Sequence, residues 1–310
     1  LSTEGPFSAN SNASYLVNYR YSFTGLLAAA GVDFGGEEIK FQDISFNLSF
    51  PNKSGETKFF GVAGISDNDF TGVELFEDAE EEKDLSDIEY NGKMLAIGVK
   101  NIYKLGEDWS IGNAIIYSLN HSDRNQNTYF VGQVPDNSFQ REEFNENKLS
   151  FRTDFNYNFR NNAILDIGYN AVHYRFRISS LAGSGIIPGS ISPAVAEENE
   201  WLLQPFVNYN GFIGNNLKIE GGINLTNFQQ SEELIVEPRL FLERYIGTAG
   251  TSLYARAGRY SQVQSYLTRY SFVFTGRNPS SSTNPQLELN KAWKFQLGYL
   301  AKVGDYNINV

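Results

Sequence analysis

The acidic residues between positions 74 and 89 are the densest group of chemistry-bearing side chains in the sequence, and only Lys83 opposes them there. Hard divalent cations prefer carboxylate oxygens, so this segment is a candidate cation site. Its spacing matches no EF-hand loop, and a solvated acidic loop is the alternative interpretation. The candidate ligands are Glu80, Glu81, Glu82 and Asp84.

Aromatic residues are unusually frequent in two segments that we predict to be long loops, 123–145 and 262–286. Aromatic rings at the mouth of a binding site can stack on a sugar, a siderophore or a peptide. Packing within the loops is the alternative. The candidate substrate-binding residues are Tyr129, Phe130, Phe139, Tyr266, Tyr270 and Phe272.

Residues for catalysis are sparse. His121 and His173 are the only histidines, and neither has a metal-ligand spacing or a nucleophile beside it. The Gly183–Gly185 segment precedes no predicted helix, so it is not a phosphate-binding loop. We therefore predict no enzymatic activity and no cofactor.

The elements that position these groups are predicted to be β-strands, because apolar and polar residues alternate along much of the chain. The clearest case is 149–159, where Leu149, Phe151 and Phe155 share one face and Arg152 and Asp154 the other. A strand of this kind has one apolar and one wet surface. The predicted strands are 1–7, 13–24, 38–51, 56–68, 88–104, 109–122, 146–160, 163–178, 198–212, 216–229, 232–246, 250–261, 287–303 and 305–310.

The connections between these strands alternate in length. Tight Gly- and Asn-rich turns, typical of hairpins, separate every second pair of strands. Most of the others are long: 25–37, 69–87, 123–145, 179–197 and 262–286. This sorting is typical of a transmembrane antiparallel up-and-down β-barrel, with short periplasmic turns and long extracellular loops. Trp109, Trp201 and Trp293 lie near predicted strand ends, where aromatic girdles mark the membrane interfaces.

Two features qualify this strand pattern. Pro205 and Pro238 fall inside predicted strands, where each lacks a backbone donor, so we expect a bulge or opened pairing at both. Charges are also expected on the wet face, where Glu237 and Arg239 could pair across strands with Lys218 and Glu220 or contact another domain. The charged wet-face set is Arg20, Asp43, Lys100, Arg152, Asp154, Lys218, Glu220, Glu237, Arg239, Glu243, Arg256 and Lys294.

The composition excludes several kinds of site and partner. The chain has 310 residues, no cysteine and a formal net charge of −11, which rules out disulfides and thiolate metal sites and disfavours nucleic acid as a partner. No run of eighteen apolar residues predicts a membrane-spanning helix. The start, Leu1–Glu4, lacks the features of an export signal, so we expect a mature protein or a fragment.

Five segments carry recognisable strand motifs: Glu4–Phe7, Ala13–Ser22, Ile235–Leu240, Tyr254–Gln262 and Asn284–Trp293. In order and spacing, across nearly the whole chain, they resemble Bacteroidetes TonB-dependent outer-membrane receptors. Glu4–Phe7 and Ala13–Ser22 are similar to early barrel strands of that family, and Ile235–Leu240 to its "EPR" strand. Tyr254–Gln262 follows as in the family, and Asn284–Trp293 resembles the start of a late strand. There, Leu289 and Asn290 replace the usual Pro and Glu.

The resemblance implies a barrel of about 22 strands around an N-terminal plug. On that count, residues 1–310 would supply roughly strands two to fifteen, without the plug or the C-terminal strands. It also implies residence in the outer membrane, partnership with TonB through the plug, and import of a scarce nutrient. The ligand could be a siderophore, metal complex, cobalamin, glycan or peptide. A passive porin of about fourteen strands and a soluble or surface-attached adhesin are the alternatives.

Overall fold

The computed structural model describes residues 1–22, 24, 26–27, 30–32, 37–73, 76–131, 134–183, 191–231, 233–247, 250–264, 288–303 and 306–309. Within these residues the chain forms one sheet of fourteen strands, each paired antiparallel with its neighbours in sequence. This confirms the predicted fold class. Among the same residues, no helix combines the length and the apolar character needed to cross a membrane.

The strands are longer on average than those of globular sheets, and the longest have more than twenty residues. They are β1 (Ser2–Pro6), β2 (Ser14–Tyr21), β3 (Glu37–Asn52), β4 (Gly55–Phe70), β5 (Ser86–Lys104), β6 (Trp109–Val131), β7 (Val134–Asn158), β8 (Ile164–Gly183), β9 (Ile191–Ile213), β10 (Leu217–Phe228), β11 (Glu233–Ile246), β12 (Thr251–Gln262), β13 (Asn290–Val303) and β14 (Tyr306–Asn309). Three short 3₁₀ helices interrupt the connections at Phe76–Asp78, Glu82–Leu85 and Gln229–Ser231.

The strand register separates the sheet into two faces, since residues directly opposite each other on antiparallel strands point to the same side. One row across β5 to β9 is Ile97, Tyr117, Leu149, His173 and Trp201. We call the face that carries this row the apolar face, and its opposite the polar face. The charged set predicted for the wet surface lies on the polar face, as expected.

The apolar face is left uncovered by the described residues. On β13, Phe295 is 75% exposed and Leu297 is 83% exposed. Exposing apolar surface to water costs about 25 cal/mol per Å², and a row of such side chains is the outer surface expected of a membrane barrel. The apolar face is therefore built to meet lipid.

The most buried side chains lie on the polar face. Val172, Leu202, Phe228 and Ile235 form a small apolar cluster with Leu289, and the first four point to the polar side by register. Side chains crowd on the concave side of a curved sheet. The cluster thus indicates that the sheet curves toward its polar face, as the wall of a barrel does.

The predicted tight turns are confirmed at one edge of the sheet. Asn162 and Gly214, in the β7–β8 and β9–β10 turns, have φ of 61° and 59°, the left-handed conformation that short hairpin turns require. Gly247 and Gly250 bracket the β11–β12 turn at φ 69° and 72°.

Two of the predicted long loops are wrong. β6 and β7 continue through 123–145 as a paired hairpin that reaches Val131 and Val134, and β8 and β9 extend to Gly183 and Ile191. A strand needs about nine to eleven tilted residues to cross a bilayer. Since β6 is more than twenty residues long, at least some ten of its residues rise beyond the membrane. The connection predicted at 69–87 is confirmed, and it contains two of the short 3₁₀ helices.

Both prolines open the pairing on one side, as predicted. Pro205 pairs with Tyr169 of β8, but the bridges between β9 and β10 are interrupted beside it without a change of register. Pro238 pairs with Ile223 of β10. On its other side, the pairing between β11 and β12 covers Arg239 to Ile246 and does not reach Pro238. Proline has no N–H to donate, so each gap follows directly from the sequence.

The tryptophans all lie on the apolar face. Trp109 is the first residue of β6, and Trp293 lies near the start of β13. Trp201 does not begin its strand as predicted, because β9 extends further up. It still lies twelve residues above the end of β9 at Ile213, which is about the tilted span of a bilayer.

Candidate functional site

The upper hairpin, defined here as residues 123–131 of β6 and 134–145 of β7, is held by polar side chains on both of its faces. Arg141 donates through Nη1 to the carbonyl of Gln126 at 2.8 Å and through Nη2 to Oδ1 of Asn127 at 2.6 Å. Arg124 lies 3.9 Å from the carboxylate of Glu142 directly across the pair. The hairpin is thus a stiff, polar extension of the wall.

The predicted aromatic ligands in this hairpin each contact a different neighbour. The hydroxyl of Tyr129 donates to Asp87 at the start of β5, and this bond raises the pKa of the phenol. The ring of Phe130 meets Phe76 edge-on with 6.0 Å between centroids. Tyr266, Tyr270 and Phe272 lie outside the described residues, so a ligand role for this aromatic set stays a prediction.

Phe139, the third of these residues, lies against the neighbouring strand. It is paired across from Gly183, and a side chain at that glycine would overlap the Phe139 ring. The guanidinium of Arg141 sits over the ring at 5.5 Å from its centroid. Its described contacts belong to the wall.

The acidic segment folds around its own backbone. Oδ2 of Asp84 accepts from the N–H groups of Glu80 and Glu81, both at 2.9 Å. These two bonds hold the pKa of Asp84 below its usual value. The side chain of Glu82 lies outside the described residues. Among the residues described, no three acidic or histidine groups converge as metal ligands, so the cation site also stays a prediction.

The histidines lie within the sheet. Nδ1 of His121 is 2.7 Å from Oδ1 of Asn145, and its Nε2 is 3.2 Å from Asp123. His173 stacks on Trp201, with 4.6 Å between ring centroids. Both sets of contacts tie neighbouring residues of the wall together.

The predicted cross-strand ion pairs on the polar face are wrong. Lys218 pairs with Glu220 at 2.5 Å, and Arg239 with Glu237 at 2.8 Å, each within a single strand. The register explains this: the residue opposite Lys218 is Glu243, whereas Glu220 faces Phe241 and Arg239 faces Gly222. Residues two apart on a strand share a face, so each pair forms along it.

A cluster of cations and aromatic rings occupies the polar face of β10 to β13. Arg239 lies over the ring of Tyr260 at 4.7 Å from its centroid, and Lys294 over the same ring at 5.2 Å. Arg256 lies over the ring of Phe241 at 5.2 Å. These geometries fall within the range of cation–π attraction. The alternation of the sequence predicts the cations on this face; the two rings were not predicted, although they alternate with the charges along β11 and β12.

A recess of about 350 Å³ opens within this cluster. Its lining includes Asn208, Glu220, Gly222, Arg239, Arg256 and Tyr260. Gly222 makes its floor: a side chain there would overlap the Asn208 amide and come 2.8 Å from the carbonyl oxygen of Val207.

The wall has the architecture of known outer-membrane transport proteins. The match to the RagAB peptide transporter covers 94% of this chain and 41% of the transporter chain, with a TM-score of 0.66 and 11% sequence identity. The match to a ferric enterobactin receptor mutant from Pseudomonas aeruginosa covers 98% of this chain and 48% of the receptor chain, with a TM-score of 0.66 and 12% identity. The match to the siderophore receptor PiuA from Acinetobacter baumannii covers 99% of this chain and 54% of the receptor chain, with a TM-score of 0.66 and 10% identity.

These similarities establish the fold. The structure has the fold of part of the strand wall of these receptors and transporters, which is the fold that the sequence resemblance implied. The chain spans about half the length of the solved structures that it matches, or less. No protein-family model matches it, and no curated protein does.

Proposed function

We propose that the chain is part of an outer-membrane, TonB-coupled import receptor for a scarce nutrient. The observation that carries the proposal is the two-faced wall: an uncovered apolar face, a charged concave face, tight turns at one edge and long elements at the other. Similarity over 93–99% of the chain to proteins described as peptide, siderophore and copper transporters or receptors supports it. Those neighbours are transport proteins, so we also propose that the chain has no enzymatic role.

The mechanism divides between wall, plug and TonB. Closing a strand wall satisfies backbone hydrogen bonds inside the lipid, which no open sheet edge can do. We propose that residues 1–310 supply roughly strands two to fifteen of a barrel of about 22 strands. A plug elsewhere in the protein would fill the lumen and receive the pull of TonB, and the polar face of this wall would contact that plug.

The ligand would be captured at the upper rim. Tyr129, Phe130 and Phe139 would contribute aromatic contacts from the upper hairpin, with Tyr266, Tyr270 and Phe272 from the later loop. The acidic segment would add carboxylates on the same side of the membrane. Siderophores, metal complexes, cobalamin, glycans and peptides remain the candidate ligands.

Uptake into the periplasm of cells that carry the gene, measured after release by osmotic shock, tests the proposal. Wild-type cells, a deletion strain and wild-type cells treated with a protonophore are given a ferric siderophore, cupric ion or a mixture of oligopeptides, each isotopically labelled. We expect the deletion and the protonophore to abolish most of the uptake of the same probe. TonB draws on the proton gradient, so the two treatments converge only for an energised receptor.

The alternatives give different results. A passive porin would lose uptake on deletion but keep it with the protonophore. An adhesin would show no change in uptake under either treatment. Either pattern would overturn the receptor assignment.

A further inference from the structure

The cation and aromatic cluster of β10 to β13 stands out because the chain as a whole is acidic, with a net charge of −11. One register row across these strands is Gly222, Arg239, Gly258 and Lys294. The next row toward the turns is Glu220, Phe241, Arg256 and Gln296. The cations are therefore grouped across adjacent strands and share one face.

Two of these cations have no acidic partner among the residues that the structure describes. Lys218 is neutralised by Glu220 and Arg239 by Glu237. Among the described residues, no carboxylate lies within salt-bridge distance of Arg256 or Lys294, and both side chains are exposed. Each contacts the face of an aromatic ring instead. Their charges are accessible and uncompensated within this part of the wall.

The nearby glutamates are engaged by other groups and do not neutralise Arg256 or Lys294. The carboxylate of Glu243 accepts from Ser252 at 2.7 Å and from Tyr245 at 3.1 Å. Glu237 is buried among its own donors. Glu220, which lines the recess, is held by Lys218 at 2.5 Å.

Glycines shape the space beside these cations. Gly222 opens the floor of the recess next to Arg239. At Gly258, a side chain would come 3.0 Å from the Tyr260 ring, so the glycine lets this ring lie flat between Arg239 and Lys294. The recess of about 350 Å³ falls in the size range of small-molecule sites.

We propose that this recess binds a carboxylate, with Arg256 as its principal anchor and Lys294 at its rim. A guanidinium can hold a carboxylate through two parallel N–H bonds, and charge-assisted bonds of this kind are the strong ones. Tyr260 and Phe241 supply the apolar sides that keep such a bond partly shielded from water. The carboxylate belongs either to a free dicarboxylate or to an acidic side chain of a polypeptide lying in the lumen. The site would exist whether or not the barrel is an energised importer.

Titration of the purified full-length protein that contains this chain, in an uncharged detergent at low ionic strength, tests the site. The probes are succinate, a hexapeptide of glutamate, and neutral succinamide, with binding heat as the readout. We expect binding of at least one of the two anions and none of succinamide. Arg256→Gln should weaken that binding by about tenfold or more, since it removes a charge-assisted hydrogen bond.

Arg152→Gln is the matched control. Arg152 also lies over an aromatic ring on the polar face, 4.8 Å from the centroid of Phe206, but it is already paired with Asp154 at 3.1 Å. Its loss should leave anion binding unchanged. Gly222→Ala provides a second test, because a methyl group on the floor should reduce binding without removing any charge.

The outcomes are distinct. Binding of succinate alone identifies a free ligand, and binding of the peptide alone identifies a polypeptide occupant; both support the site. Binding of neither anion overturns it. Equal effects of Arg256→Gln and Arg152→Gln would overturn it too, because they would show non-specific attraction to a cationic surface.

Discussion

The carboxylate of Glu237 takes the place of the missing backbone ladder between β11 and β12 by accepting from Ser261. The N–H of Ser261 donates to Oε1 at 2.7 Å, and its hydroxyl donates to the same oxygen. Oε2 accepts from Arg239 at 2.8 Å. Pro238, next in sequence, has no partner on β12, because the regular pairing between the two strands ends at Arg239. A side chain therefore closes the wall where the backbone does not.

Glu237→Ala should destabilise the folded chain by about 2 kcal/mol, because it leaves the half-buried N–H and hydroxyl of Ser261 without their acceptor. Glu237 is only 2% exposed, so water cannot easily replace its carboxylate. The free energy of unfolding in detergent, measured by urea titration, checks this. Glu197→Ala is the control: that carboxylate pairs with Arg175, both partners are largely exposed, and such a pair contributes about 0–1 kcal/mol. Equal losses in the two variants would contradict the bridging role.

Two glycines near the tight turns should respond very differently to alanine. At Gly55, a side chain would overlap the carbonyl oxygen of Ile102 and come 3.0 Å from Cα of Tyr103, both backbone atoms of the next strand. At Gly106, no atom lies within 4 Å. Gly55→Ala should therefore cost about 1–3 kcal/mol of unfolding free energy, and Gly106→Ala much less. Refolding yield and urea midpoint measure both, and similar midpoints would refute the close packing of β4 against β5.

Substitutions on the two faces of β7 test which face meets lipid. Leu149→Arg places a charge on the apolar face, where burial in the bilayer is unfavourable by an amount that rises from about 0–1 kcal/mol near an interface to about 2–4 kcal/mol at the midplane. Ser150→Arg, one residue on, places the same charge on the polar face and should cost little. Folding into lipid vesicles, followed by the gel shift of the heat-denatured against the folded form, compares them. A greater loss for Ser150→Arg would reverse the assignment of the faces.

Alternation predicted the membrane part of the fold because lipid and lumen impose opposite polarity on successive residues. The same rule failed to predict the strands of the upper hairpin, which the sequence pattern indicates as a loop. Above the bilayer both faces of β6 and β7 are wet, so residues such as Arg124 and Glu142 oppose each other with no apolar stripe to signal a strand. The hairpin there is held by side-chain hydrogen bonds that a periodicity search does not detect.

The candidate anion recess shows a second limit. The sequence places Arg239 and Arg256 on the wet face, since alternation fixes the face of each residue. It does not fix the register between strands, which brings Gly222 beside Arg239 and Gly258 beside Lys294. The same limit explains the wrong ion pairs, because the register places Glu243, and not Glu237, opposite Lys218.

The acidic segment offers a test by pH. Backbone N–H groups of Glu80 and Glu81 hold the pKa of Asp84 below its ordinary value. A lowered folded pKa stabilises the local structure above the ordinary value, near pH 4, and this stabilisation is lost as the pH falls through the folded pKa. Amide exchange of Glu80 and Glu81, corrected for intrinsic rates, should be slow at pH 6 and faster at pH 3. Asp84→Asn should be less protected at pH 6 and change little between the two, because its amide is a weaker acceptor that does not titrate. Wild-type protection that is identical at both pH values would show that the carboxylate does not order this segment.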